Sequence, residues 1–410
     1  MDKLTILGIS FFPIWDMGNK KGKPSIYFVQ KAFVEKGHDV HFLFASEKNL
    51  NRMYEGIHIH EFSMPSCDLL PNQLTKGVGF VYRKAISILF ALKATKMAIQ
   101  IAAANRPDII YGHDFLSAPV AFLISKLYGT ANITRLYGTF LYPCFSKPFQ
   151  LFIRLDEIIG FKIPATYLII TNDGTSGNIV AARLRVPLEK IKFWMNGVDR
   201  NMCNPNFNMA EFRKANEIPM NAKIVLLVTR LVAWKRVDRL LRAVPRVVSK
   251  NQNVVFFVVG DGPEKESLEH LSEQTGITGY VRFTGALTRD EVSAFLNATD
   301  VVVSVNDLTN LVNPVLEAMV CGKCVVALNT GATNEIIKHN SNGIILSENS
   351  SKDLGEVLND LLENPELRTM LGRNARIYSE NHFRTWNERA ELEVKLVEDV
   401  AKRRNRPSSQ

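Results

Sequence analysis

The residues best suited to chemistry are an arginine and a lysine five positions apart, Arg230 and Lys235 in T-R-L-V-A-W-K, and a glutamate, Glu317, in N-P-V-L-E-A-M. Arginine offers a planar fork and lysine a compact point charge, a pair suited to a diphosphate. Each charge-assisted hydrogen bond of this kind contributes about 1.5–3 kcal/mol. A carboxylate cannot hold phosphate, but it accepts hydrogen bonds from paired sugar hydroxyls. A ligand carrying both phosphate and ribose satisfies all three residues. Two plainer readings stay open at this point: Glu317 as a complement to a helix dipole, and Arg230 with Lys235 as surface charge.

The elements that must position these groups alternate strand and helix. Val301-Val302-Val303 reads as a buried strand, followed by an Asn-rich loop. Asn313-Pro314 opens a helix, with Asn313 as the cap and Pro314 at the first helical position. Val315, Leu316, Met319 and Val320 form its apolar face, Glu317 falls in its first turn, and Gly322 stops it. Val325 to Leu328 is the next strand. Upstream, the strand Lys223–Val228 ends in Arg230 and Lys235. Val254–Val259 ends in Gly260-Asp261-Gly262-Pro263, and Val281–Phe283 ends in Thr284-Gly285. Loops that all follow parallel strands lie on one sheet edge, the edge where doubly wound folds bind ligands. Loop amides and a helix N-terminus there favour an anion. No carboxylate cage for a divalent ion is evident, so no metal is expected, and Arg230, Lys235 and helix dipoles would neutralise a departing diphosphate.

The first half repeats the pattern. A strand at 4–9, a loop with Gly18 and Gly22, a helix near Ile26–Lys36 and a strand at Val40–Phe44 open another doubly wound sheet. Gly22 belongs to no G-x-G-x-x-G, and its loop is expected to wall the ligand crevice. Strands ending at Tyr111 and Leu136 bring His113, Asp114 and Tyr137 toward one cleft as acceptor-side candidates. Phe80–Asn105 reads as a core-packed helix whose Arg83, Lys84, Lys93 and Lys96 gather on no single face and are solvated. The segment Phe140–Phe161, aromatic and basic with Pro143 and Pro148, is expected to be flexible and to touch lipid headgroups. The domains are expected at 1–200 and 201–384, with a last helix at about 385–403 returning to the first domain and a basic tail at 404–410.

Composition narrows the classes. Five cysteines without paired spacing argue for a reducing compartment and against a disulfide framework or zinc site. The N-terminus lacks the apolar core of a signal peptide, and no continuous run has the roughly 18 apolar residues of a membrane span. The expected location is cytoplasmic, peripheral on the inner face of the membrane. A formal charge of +9 suits an anionic surface or a phosphorylated substrate. With no recognisable nucleic-acid-binding pattern, nucleic acid is not an expected partner.

Four motifs together resemble the retaining nucleotide-sugar glycosyltransferases of the GT-B architecture, family-four type. T-R-L-V-A-W-K-R-V-D is similar to that family's G-R-L-x-x-x-K-G-x-D, and V-V-G-D-G-P-E to its G-x-G-P element. N-P-V-L-E-A-M-V-C-G-K-C-V-V-A is similar to its L-L-E-A-M-A-x-G-x-P-V-V-A, and N-G-V-D, which contains Asn196, to its P-N-G-V-D. The resemblance implies two Rossmann-like α/β domains facing each other across a cleft. It implies that Arg230 and Lys235 hold the donor diphosphate and Glu317 the ribose. The backbone of Asn310, Leu311 and Val312, opening the helix at Asn313, would meet phosphate or donor sugar. Gly285 would border the base, with Gly260, Gly262 and Asn196 nearby. The expected partners are a nucleotide-sugar donor and a glycan or lipid-linked acceptor, with no cofactor. Two positions depart from the family: Thr309 stands where a second glutamate is usual, with Asp307 out of register, and Tyr137 replaces a histidine. A non-catalytic scaffold on the same fold, a nucleotide-sugar epimerase and a phosphorylase are the rival readings.

Overall fold

The computed structural model describes residues 3–14, 24–65, 77–204, 206–348 and 353–405. Gly22 lies outside the described residues. The chain divides into two compact units, Met1–Gly197 with Trp386–Gln410, and Val198–Thr385.

The first unit carries β1 (Thr5–Ser10), β2 (Asp39–Ser46), β3 (Leu50–Tyr54), β4 (Ile57–Ser63), β5 (Ile109–His113), β6 (Ala131–Leu136), β7 (Tyr167–Thr171) and β8 (Ile191–Trp194). They form one sheet in the order β3-β4-β2-β1-β5-β6-β7-β8. All neighbours are parallel except β3, which pairs antiparallel with β4 at the edge. This hairpin is absent from the sequence reading, because its polar stretch L-N-R-M-Y lacks a clear apolar alternation. The carboxyl ends of β1, β5 and β6 share one edge. β5 runs through Gly112 to His113, so His113 is a strand residue and not a loop residue.

The helix Gly77–Asn105 corrects two expectations. It is long and apolar enough to cross a membrane, although its charges interrupt any continuous apolar run. One face, including Ile86, Phe90, Ala94 and Ala98, packs against Leu7, Leu43 and Ile110 of the sheet. Its basic residues are largely tied down. Arg83 and Lys84 pair with Asp156 at 2.7 and 2.9 Å, and Lys93 donates to the Ser63 carbonyl at 2.8 Å. The opposite face exposes Val81, Ile88 and Leu92. The stretch 140–161 is likewise not a flexible loop. It forms a 3-10 turn at Tyr142–Cys144 and helices Pro148–Ile153 and Leu155–Lys162. Phe161 is buried and Arg154 pairs with Glu157 at 2.6 Å, while Phe149 and Phe152 stay exposed.

The last helix, Trp386–Asn405, supplies the stripe Trp386, Ala390, Val394 and Val397 to the core of the first unit. Trp386 stacks on Phe28 at 5.0 Å. Its Glu393 is fully buried and pairs with Arg135 of β6 and with Arg389, both at 2.8 Å, and accepts from the Tyr111 hydroxyl.

The second unit holds an all-parallel sheet of β9 (Lys223–Val228), β10 (Val254–Val259), β11 (Val281–Gly285), β12 (Val301–Ser304), β13 (Cys324–Leu328) and β14 (Ile344–Leu346), in the order β11-β10-β9-β12-β13-β14. The continuous apolar runs of β10, β12 and β13 are what a strand covered on both faces requires. The helix Asn313–Val320 is capped by Val312, so Asn313 is its first residue and not its cap. Glu317 therefore sits in the second turn. Gly322, at φ +65°, ends the helix with its amide on the Met319 carbonyl at 3.0 Å.

Candidate active site

At the carboxyl edge of the second sheet, backbone bonds zip three loops together. The amide of Leu231 donates to the Asp261 carbonyl at 2.9 Å, and that of Glu264 to the Leu231 carbonyl at 3.1 Å. Gly260 donates to the Gly285 carbonyl at 2.9 Å. A Cβ on Gly260 would lie 1.8 Å from the Thr229 carbonyl oxygen, and one on Gly262 would lie 2.2 Å from that of Leu231. These glycines thus let two loops touch backbone to backbone. As direct ligand contacts they are corrected: the Gly260 amide is spent on Gly285, and the Gly262 amide donates to Asp261 Oδ1 at 2.8 Å. Gly285, at φ +72°, has nothing within 4 Å of where a Cβ would stand, so it leaves open space at the end of β11.

Arg230 is exposed at this edge, whereas Lys235 is only 8 % exposed. The Lys235 ammonium lies 4.0 Å from the centroid of the Trp234 ring. The loop is held to the one after β12, because the Asp307 amide donates to the Trp234 carbonyl at 3.0 Å. The Asp307 carboxylate pairs with Arg239 at 2.7 Å and Arg236 at 3.3 Å. Asp307 is therefore committed to locking the loops and does not stand in for the absent glutamate. Thr309 is buried and accepts from the Leu311 amide at 3.1 Å.

Asn310 is fully buried and serves as a knot. Its Oδ1 accepts from Ser304 Oγ at 2.7 Å and the Asn306 amide at 2.9 Å. Its Nδ2 donates to Thr330 Oγ1 at 2.7 Å and the Leu328 carbonyl at 2.9 Å, and its amide to Thr333 Oγ1 at 3.1 Å. The expected ligand contacts from the Asn310 and Leu311 amides are thus corrected: both are used within the loop. What the knot does is hold Val312 and Asn313 at the start of the helix.

Glu317 is partly exposed, yet burial lifts its carboxyl to about pH 7, opposed by nearby Arg289 and reinforced by Asp199. Arg289 and Asp199 form an ion pair beside it. Thr288 and Glu291 close a capping box that fixes the start of the helix carrying Arg289. Asp199 is the carboxylate inside N-G-V-D, the sequence signal for this pair, whereas Arg289 lies in none of the four motifs. Asn196 belongs to the first unit, beside Met195, whose carbonyl accepts from Arg389 Nε at 2.8 Å. It is not grouped with the other donor-side candidates.

In the first unit, His113 is fully buried between partners. Gln30 Nε2 donates to its Nε2 at 3.0 Å, so its Nδ1–H donates to the Tyr137 hydroxyl at 2.8 Å. It positions Tyr137 and is not itself presented to a substrate. Asp114, at φ +102°, accepts from the amides of Phe11, Leu116 and Ser117 at 2.8–2.9 Å, stapling the ends of β1 and β5. Both are corrected from direct acceptor contacts to positioning residues. Burial raises the Tyr137 hydroxyl well above its ordinary range, which keeps it a proton donor at neutral pH. Tyr137, Phe11, Phe12, Phe140, Arg83 and Asp156 help to line a cavity of about 150 Å³ at this edge.

Two doubly wound α/β units, with polar loops gathered at strand carboxyl ends, define the GT-B class of fold. Two family models match the chain: Glycosyltransferase Family 4 over residues 25–201, and Glycosyl transferases group 1 over residues 208–378. The chain belongs to these group 1, family-four glycosyltransferases. It is 24 % identical over 359 residues to the N-acetyl-alpha-D-glucosaminyl L-malate synthase of Bacillus anthracis, covering 87 % of this chain and 88 % of that one. In fold it is similar to the sucrose-phosphate synthase of Thermosynechococcus elongatus, at a TM-score of 0.78 and 17 % identity over 98 % of this chain and 100 % of the other. It is also similar to Anabaena HepE solved with UDP and glucose, at a TM-score of 0.69 and 19 % identity over 96 % and 100 % of the two chains.

Proposed function

We propose that this chain moves a sugar from a nucleoside-diphosphate sugar to an acceptor hydroxyl with retention at the anomeric carbon, and without a metal ion at the donor site. The observation that carries this is the buried Lys235 in a loop hydrogen-bonded to the one after β12, which leads into the helix of Glu317. The anomeric C–O bond to the diphosphate breaks and the acceptor oxygen bonds the same carbon through an oxocarbenium-like state. The acceptor proton passes to the departing diphosphate, so no protein base is needed, and the protonated Tyr137 is not an obstacle. Arg230 and Lys235 stabilise the leaving group by preorganised charge. Two carboxylates at this edge are already engaged: Asp307 with Arg236 and Arg239, and Asp261 with the Gly262 amide. That supports cationic side chains, not a divalent ion, as the partner of the diphosphate. The test is donor-dependent release of free nucleoside diphosphate across UDP-, GDP- and ADP-sugars. We expect release with one base class. Tight binding without release would favour a scaffold that kept the fold, and an isomerised donor without release would favour an epimerase.

The acceptor side favours a lipid-linked or membrane-proximal substrate, with the protein peripheral on the inner face of the membrane. The observation behind this is the apolar face of Val81, Ile88 and Leu92, joined by the exposed Phe149 and by Phe152, whose ring lies 6.2 Å from that of Phe80. A shallow groove of about 640 Å³ between this helix and Ser117–Leu127 continues it through Ile99 and Leu123. Exposed Lys96, Lys126, Lys147 and Lys162 supply positive charge on the same helices and the loop beside them. Flotation with vesicles containing anionic lipid is expected to carry the protein upward, and Phe149→Ser with Phe152→Ser to weaken this about tenfold. Absence of the protein from the floated fraction would remove the lipid reading and leave the transfer reading intact.

A further inference from the structure

We propose that Asp39, His41 and His58 form a divalent transition-metal site at the amino end of strands β2 and β4. The two strands are parallel, and His41 stands directly opposite His58 in register. Residues two apart on a strand share a face, so Asp39 and His41 project with His58 and His60 from one side of the sheet. The imidazoles of His41 and His58 stack at 4.6 Å and 11°. Asp39 Oδ1 lies 3.4 Å from His58 Nε2 and 3.7 Å from His41 Nε2, and the three potential ligand atoms all lie within 4.8 Å of one another. Two ligands of a tetrahedral ion at about 2.1 Å are separated by about 3.4 Å. The cluster is therefore close to the required spacing, and His58, the exposed member, is free to adjust.

Hydrogen-bond polarity makes the stronger argument. His60 Nδ1 faces Asn51 Oδ1 at 3.0 Å, and a carbonyl oxygen only accepts, so His60 Nδ1 carries a proton. His60 Nε2 is then an acceptor, and His41 Nδ1, 3.1 Å away, must donate to it. In the neutral imidazole that leaves a lone pair on His41 Nε2. This atom is buried, has no hydrogen-bond partner, and points toward a carboxylate oxygen. A lone pair facing a carboxylate on a buried side chain is unfavourable unless a proton or a metal cation lies between them. Asn51 and His60 would act as the outer relay that fixes the tautomer and orientation of a ligating imidazole. Two nitrogens and one oxygen suit Zn²⁺ and its neighbours in the first transition row, with the fourth position left to water. The half-exposed Asp39 and His58 give the ion a path from solvent.

The site sits on the sheet edge opposite the one that carries Tyr137, so it is separate from the transfer chemistry. An ion there would join β2 to β4, the strand that holds the edge hairpin. The experiment uses the untagged full chain freed of metal with EDTA. Zn²⁺ titration against a chromophoric chelator is expected to show one tight equivalent and a rise in Tm of about 5 °C. Asp39→Asn and His58→Gln are expected to weaken that equivalent by roughly 100-fold or more, and His60→Gln, through the lost relay, by about tenfold. Co²⁺ substitution should give the visible bands of a tetrahedral N/O site without thiolate absorption, which separates this site from the Cys203–Cys321 pair. Circular dichroism confirms that the variants remain folded. No tight equivalent in the wild type, an equivalent retained in His58→Gln, or a thiolate band would each overturn the assignment.

Discussion

Lys235→Ala is expected to lower turnover by about 10²–10³, the loss typical of removing one preorganised donor from a developing anion. The magnitude follows from where the charge sits. The charge of a lysine that is only 8 % exposed is less screened by water than that of a surface lysine, and it is already held against Trp234 before any ligand arrives. Its field is largest when the sugar–phosphate bond has broken and the diphosphate carries its full charge. The loss should therefore fall mainly on kcat, with a smaller change in KM. Lys235→Met keeps the apolar stem over the indole and removes only the charge, so it should fold normally and show the same loss. Turnover near the wild-type rate in both variants would mean that the diphosphate is stabilised by other groups.

Glu317→Gln should separate stability from binding. The folded carboxyl is raised to about 7 from an ordinary 4.5, chiefly by burial. Between those values the folded chain holds a proton that the unfolded chain has released. Stability therefore falls as pH rises through this window and levels off above pH 7. Glutamine has no charge to bury, so the variant is expected to be more stable than the wild type at pH 8 by about 1–3 kcal/mol, and little different near pH 4.5. Binding should move the other way. The ionised carboxylate is the better acceptor for ribose hydroxyls, so wild-type nucleotide affinity should rise as pH passes 7. Glu317→Gln should bind about 10–100-fold more weakly at pH 8. Paired urea unfolding and nucleotide titration at pH 5 and 8 make the check. A variant that is less stable at pH 8, or binds nucleotide equally well, would show that Glu317 complements only the helix.

The architecture was legible because parallel strands buried on both faces write themselves as apolar runs, as in V-V-F-F-V-V of β10, and the loops after them inherit the ligand edge. The charge pattern of Arg230, Lys235 and Glu317 was legible for the same reason. What each loop residue does was not. Asn310 reads as one polar residue among several, yet five of its hydrogen bonds fold the loop upon itself, and no local pattern announces a side chain turned inward. Gly260 and Gly262 have the spacing of a ligand-facing loop, but the reason for them is contact with Thr229 and Leu231, some thirty positions away. The histidine–aspartate cluster has no metal-ligand spacing along the chain, since its members are brought together by strand pairing. The exposed apolar side of Gly77–Asn105 escaped because a helix apolar all round does not say which side is covered.

The ion cluster beneath the last helix has a consequence for how the chain comes off the ribosome. Arg135 and Tyr111 are made early, but the carboxylate that neutralises them, Glu393, follows Tyr111 only 282 positions later. Until it emerges, the first unit has an unmatched guanidinium at its centre and an uncovered Phe28. The second unit is one uninterrupted stretch and has no such wait. Its nascent polypeptide can thus close first, reversing the usual amino-to-carboxyl order of domain maturation.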